Sequence, residues 1–135
     1  MVKLFWICMA GALGTGTRYL VGLWADQRLG KAVPYGTLLV NVVGCFLMGL
    51  VMQVSLRTVA ISPALRVTLT AGFMGGLTTY SSFNYDVARY LQSGAYGLAA
   101  LYFCLTVVLC LVAGSLGVIL ASSVCPGGLE WEGLP

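Results

Sequence analysis

Charge is what this chain has least of. Only 8% of its 135 residues are Asp, Glu, Lys or Arg, against about 25% in ordinary soluble domains. A water-soluble protein so poor in charge would have no polar surface to present to solvent. Histidine is absent altogether, so no Cys/His metal pairing exists, and no nucleophile–base pair is readable that would point to an enzyme. The five cysteines, Cys8, Cys45, Cys104, Cys110 and Cys125, contain no CxxC spacing. Four of them fall in apolar runs, where cysteine behaves as a small hydrophobe. The formal charge of +3 comes from seven scattered basic residues, which form no patch of the kind that binds nucleic acid.

Long apolar runs are what the chain has instead. No charge occurs from Ala32 to Leu56, from Val67 to Tyr85 or from Tyr90 to Leu129, and Arg18 is the only charge between Leu4 and Trp24. A bilayer crossing needs about 20 mainly apolar residues, so the pattern predicts four spans over residues 4–25, 36–56, 64–92 and 97–122. Lys3 followed by an apolar run and small residues has the outline of a signal peptide. A lone lysine is a weak n-region, however, and the apolar character continues to Trp24. Residues 1–125 thus read as one all-α membrane domain, and residues 126–135, with Pro126, Gly127 and Gly128, as a flexible tail. Eighteen glycines suit this environment, since close backbone approach drives helix association in lipid. Ala10/Gly14, Gly72/Gly76 and Ala113/Gly117/Ala121 have the small-xxx-small spacing.

Short loops make neighbouring helices antiparallel and put both termini on one side. That side carries Lys3, Arg57 and Arg66, and the other carries Arg28, Lys31 and Arg89. An equal count gives the positive-inside rule no preference. Insertion in both orientations follows, and with it the possibility of an antiparallel homodimer.

The third span is unlike the others. It is longer than a straight crossing requires, and its centre holds Gly75, Gly76, Thr78, Thr79, Tyr80, Ser81 and Ser82, a poor helix-forming run. A helix broken at membrane depth frees backbone groups that persist only against protein, water or an ion, and such breaks often mark transport sites. Polar residues also occur on the other spans: Arg18 on the first, Asn41 on the second, and Tyr102, Thr106 and Cys110 at i+4 spacing on the fourth. Hydroxyl and amide donors are plentiful, whereas Asp26 and Asp86 lie near span ends. Donors without intramembrane acids favour an anion path, to which the positive ring edges of Tyr80 and Phe83 can add.

Three segments carry a family resemblance: GALGTGTRY from Gly11 to Tyr19, GTLLVNVVGCF from Gly36 to Phe46, and GFMGGLTTYSSF from Gly72 to Phe83. In order and spacing, over about residues 4–122, the chain resembles the Fluc/CrcB fluoride channels. The resemblance implies a dual-topology antiparallel homodimer in the cell (plasma) membrane, with two pores that export fluoride passively and relieve its toxicity. It implies pore roles for Asn41, Phe83, Tyr102, Thr106 and Cys110, and for Tyr80, which stands where the family usually has Phe. Cys110 stands where Ser is common. Arg18, Ser81, Ser82 and Asp86 correspond to a vestibule cluster, with Asp86 in place of the usual Glu. Gly75 and Thr78 correspond to positions whose backbone carbonyls hold a structural sodium ion at the dimer centre. The partners implied are a second copy of the chain, fluoride and the lipid bilayer.

The main alternative is a small four-helix proton-coupled multidrug antiporter. Such a protein needs an intramembrane carboxylate to exchange proton for cation, and the first span has none between Leu4 and Ala25. A non-transporting scaffold is a further alternative, and it would move no ion.

Overall fold

The computed structural model describes residues 2–125, and every described element is helical. The expected flexible tail, 126–135, lies outside the described residues. Helix α1 runs Val2–Leu29, α2 Tyr35–Arg57 and α6 Tyr96–Val124. At 1.5 Å per residue these are about 42, 35 and 43 Å long, each more than the roughly 30 Å of a hydrocarbon core. They are the three described helices long and apolar enough to cross a membrane. Each extends by one to four residues beyond the boundaries expected from the apolar runs.

The region expected to form one more span, 64–92, is divided. It consists of α3 (Pro63–Val67), a π-helical stretch (Thr68–Met74), α4 (Gly75–Leu77) and α5 (Tyr80–Gln92). Between α4 and α5 the backbone is extended at Thr78 (ψ 156°) and Thr79 (φ −151°, ψ 106°). The local causes are legible. Ser62 caps α3 by accepting from the Leu65 N–H, with Pro63 in the first turn, where its missing N–H costs nothing. Adjacent Gly75 and Gly76 weaken α4. Thr79 then starts α5 afresh, its hydroxyl accepting from the Ser82 N–H at 3.0 Å. Gly30 (φ +84°) and Gly94 (φ +75°) adopt the left-handed conformation just beyond α1 and α5, where glycine stops a helix without strain.

Glycine also sets how the helices meet. The most extensive pairing is α2 with α6. A Cβ at Gly49 would fall on the Gly114 carbonyl oxygen, and one at Gly117 on the Phe46 carbonyl oxygen. Helix α1 packs on the π-helical stretch and α4 in the same manner. A Cβ at Gly14 would meet the Phe73 carbonyl, one at Gly76 the Gly11 carbonyl, and one at Gly72 would lie 2.8 Å from the Ile7 carbonyl oxygen. The small-xxx-small spacings thus become backbone-to-backbone contacts. Helix α5 packs on α6, and Leu38, Phe83, Tyr90, Ala99 and Tyr102 form a buried cluster joining α2, α5 and α6. The Tyr90 hydroxyl donates to the Ala32 carbonyl at 2.6 Å, tying α5 to the α1–α2 loop. Much of α6 between these contacts is apolar and exposed, including Leu101, Leu111, Leu116 and Ile119, as suits a lipid-facing helix.

Candidate ion pathway

Asn41 is the residue on which the interruption between α4 and α5 turns. It lies on the inner face of α2 and is buried. Its Oδ1 accepts the Thr79 N–H at 2.7 Å, and its Nδ2 donates to the Thr79 carbonyl at 3.1 Å. The side-chain amide therefore pairs with both the N–H and the C=O of one residue, as a residue on a neighbouring strand would, and it replaces bonds that a continuous helix would make for itself. One Nδ2 hydrogen remains after this pairing. Gly44, nearly one turn further along α2, makes room for the same segment: a Cβ there would collide with the Thr78 methyl.

The pairing redirects two donors. In an unbroken helix the Thr79 N–H would bond the Gly75 carbonyl and the Ser82 N–H would bond the Thr78 carbonyl. Here the first goes to Asn41 and the second to the Thr79 hydroxyl. The carbonyl oxygens of Gly75 and Thr78 lose their helical partners in this way, and the fresh start of α5 at Tyr80 leaves those of Gly76 and Leu77 without theirs. The Thr79 hydroxyl itself donates to Ser82 Oγ at 2.9 Å, with Ser81 Oγ at 3.3 Å, so the capping turn is a small hydroxyl network.

Beside this turn runs a groove of about 790 Å³ between α2, α5 and α6, lined on one side by Asn41, Gly44, Cys45 and Thr78 and on the other by Thr106 and Cys110, with Tyr80 and Phe83 at the turn. Among the described residues no Asp or Glu lines it. Five of the six residues expected in a pore meet here. The sixth, Tyr102, is buried behind Phe83 and does not line the groove; their ring centroids are 5.7 Å apart. The hydroxyls of Tyr102 and Thr106 are buried and make no hydrogen bond among the described residues. Unpartnered hydroxyls of this kind are costly away from water, and they are donors ready for a ligand. Tyr80 and Phe83 differ sharply in setting. Phe83 is 5% exposed and Tyr80 77% exposed, with their centroids 5.9 Å apart.

The residues expected in a vestibule divide between two cavities. Ser81, Ser82 and Asp86 line one of about 520 Å³ with Asp26, Lys31, Thr37 and Arg89. Arg18 lines another of about 440 Å³ with Thr15, Asp26, Thr37, Thr79 and Ser82. Arg18 therefore does not share a cavity with Ser81 or Asp86, and Asp26, Thr37 and Ser82 are common to both. Sequence reasoning passed over Asp26 and Thr37 as site residues, and Cys45. Thr37, Asn41 and Cys45 lie at i+4 intervals on α2, the same signal that picked out Tyr102, Thr106 and Cys110 on α6.

Residues 5–118 match the family described as CrcB-like protein, Camphor Resistance (CrcB). Among similar proteins, the fluoride-specific ion channel FluC of Sorangium cellulosum is 42% identical over 127 residues, covering 94% of this chain and all of the relative. The FluC channel of an Anaeromyxobacter species (strain K) is 50% identical over 113 residues, covering 84% of this chain and 90% of the relative. That of Geobacter metallireducens is 46% identical over 121 residues, covering 90% and 98%.

Proposed function

Because this chain belongs to the CrcB family, we propose that it is a fluoride-selective channel through which fluoride leaves the cell passively. The observation that carries this reading is the groove beside the interrupted helix, which holds polar donors and, among the described residues, no carboxylate. Fluoride is a small, strongly hydrated anion, and a dry passage must replace the water it sheds. The remaining Asn41 N–H and the Thr106 hydroxyl provide direct donors. Tyr102 stands behind Phe83 as a further hydroxyl, reached as the ring of Phe83 turns its positive edge to the anion. With no acid in the groove among the described residues, no carboxylate there repels the ion or binds a proton in its place. The antiporter alternative requires such an acid, and channel function needs no enzymatic step.

Residues 63–92 together make the third of four crossings, interrupted at Thr78 and Thr79, and the chain resides in the plasma membrane. Two copies assemble antiparallel, so that each covers the open side of the other's groove. The equal distribution of basic residues supports insertion both ways, and the exposure of Tyr80 beside a buried Phe83 supports a missing neighbour at that ring. At the two-fold axis, Gly75 and Thr78 from each copy would hold a sodium ion. The fit rests on their carbonyl oxygens, whose helical donors are engaged elsewhere. Hard cations take oxygen ligands, and the absence of a carboxylate there favours a monovalent ion. Its contribution when bound is structural: it offsets the mutual repulsion of converging carbonyl dipoles.

The deciding experiment is fluoride efflux from liposomes carrying the purified protein, followed with a fluoride electrode. Rapid efflux of fluoride, with chloride retained, is the expected result. Cation exchange driven by a proton gradient, or no ion movement at all, would refute the channel.

A further inference from the structure

Asn41 and Thr106 each have a cysteine one helical turn onward. Cys45 follows Asn41 on α2, and Cys110 follows Thr106 on α6, so each thiol shares a face with its polar neighbour. Both line the groove, from the two helices that pack most extensively, and both are free thiols and partly buried. Backbone contact holds them there. A Cβ at Gly114, one turn beyond Cys110, would lie 3.6 Å from the Cys45 carbonyl oxygen, and the Gly49 and Gly117 approaches fix the helices on the same side.

Two thiols on facing helices of one groove, with no acid lining it among the described residues, have a distinct ligand chemistry. Zinc in a structural site takes four ligands, and among the described residues no group of three or more His, Cys, Asp and Glu exists to hold it. Soft thiolate donors select soft cations, and a divalent d10 ion that accepts two ligands in line needs no others. Charge favours the divalent ion. Two thiolates and one M²⁺ make a neutral unit, which a low-dielectric groove tolerates where a net charge would be costly. On binding, two S–H bonds break, two S–metal bonds form and two protons pass to water, with no change of oxidation state.

We infer that Cys45 and Cys110 form a two-thiol site for a soft divalent cation of the Hg²⁺ type, and that filling it plugs the groove beside Asn41 and Thr106. The plugging rests on the fluoride reading; the binding does not. The test uses the full chain with Cys8, Cys104 and Cys125 replaced by alanine, kept reduced and titrated with Hg²⁺, alongside versions that also carry Cys45→Ser or Cys110→Ser. The expected stoichiometry is one Hg²⁺ per chain for the pair. Chelation by two fixed donors exceeds single-site affinity by about 10²–10⁴-fold, so either further substitution should weaken binding by that factor. In liposomes, fluoride efflux should fall at least tenfold on filling and recover with excess dithiothreitol. Two ions per chain, or single-cysteine chains that bind as tightly as the pair, would overturn the site. Unchanged efflux with one ion bound would overturn the plug. If the metal-free liposomes release no fluoride, the fluoride reading fails while the stoichiometry still decides the site.

Discussion

Asn41→Asp is the substitution that bears most directly on how the pathway is held open. The two side chains have the same shape, yet the carboxylate is acceptor-only. The 2.7 Å bond from the Thr79 N–H survives, while the 3.1 Å bond to the Thr79 carbonyl is lost and replaced by an oxygen facing an oxygen. Leaving a buried carbonyl unsatisfied costs about 1–3 kcal/mol, which corresponds to about a 5- to 150-fold shift between the clamped turn and its alternatives. A negative charge beside the groove further opposes an entering anion. Fluoride efflux should therefore fall by at least tenfold at neutral pH, with the helix content and oligomeric state of the purified protein unchanged. Asn41→Leu separates the two effects, since it removes both hydrogen bonds without adding charge. It should lose flux as well, because the clamp is gone. Native-like efflux from folded Asn41→Asp protein would refute both the clamp and the pore role.

Other perturbations follow from neighbouring contacts. Gly44→Ala places a methyl against that of Thr78; overpacking of this kind costs about 1–3 kcal/mol, so both the unfolding temperature in detergent and the efflux rate should drop, and native values for both would show that the segment has room to move. Tyr80→Phe should retain efflux within about twofold, because it keeps the ring and its positive edge, while Phe83→Ile should lose most of it, having no positive edge to offer. A dead Tyr80→Phe channel would assign the work to the hydroxyl. Exhaustive replacement of sodium by a large organic cation should slow efflux or loosen the dimer, as read by liposome flux and cross-linking, and full activity in its absence would leave Gly75 and Thr78 without that role.

Most of the fold was legible because lipid leaves few alternatives. Uninterrupted apolar runs place α1, α2 and α6 to within a few residues, and the loop glycines mark two of their boundaries. Helix interior and helix end differ little in hydropathy, however, so the spans came out shorter than the helices: in water the apolar pattern ends with the helix, whereas here polar residues such as Arg28 and Arg57 continue it past the bilayer. Within 64–92 the weak helix-formers at 75–82 mark a trouble spot, yet propensity cannot say how the chain resolves it. The π-helical stretch from Thr68 to Met74 has no counterpart in composition, since it depends on fitting Gly72 against Ile7 and Gly76 against Gly11 on α1. The site was half legible for the same reason. Spacing along α6 finds Thr106 and Cys110, but the engagement of Asn41 with the backbone of Thr79, 38 residues away, and the position of Tyr102 behind Phe83 are tertiary facts. Arg18 on α1 and Asp86 on α5 line separate cavities that share Asp26, Thr37 and Ser82, which no one-dimensional pattern encodes.

One hydrogen bond links the anion groove to the proposed cation site, and this has a consequence that can be measured. The Thr79 N–H that Asn41 accepts is the donor that a continuous helix would give to the Gly75 carbonyl. Asn41 therefore does two things at once: it places an amide donor beside the groove, and it keeps the Gly75 oxygen free for a cation. Asn41→Ala releases the Thr79 N–H, which is then free to return to Gly75, and an oxygen satisfied by a peptide N–H is a poorer ligand. The loss of one strong oxygen donor from each copy should raise the sodium concentration needed to stabilise the dimer. At 1.4 kcal/mol per tenfold, a hydrogen bond of about 0.5–1.5 kcal/mol competing for that oxygen predicts roughly a 2- to 10-fold rise per bond. Thermal unfolding of the purified dimer across a sodium titration reads this directly and needs no fluoride flux, so it is independent of any damage to the pore. If Asn41→Ala and the native chain show the same sodium dependence, the two sites are not coupled through Thr79, and Asn41 acts on the anion side alone.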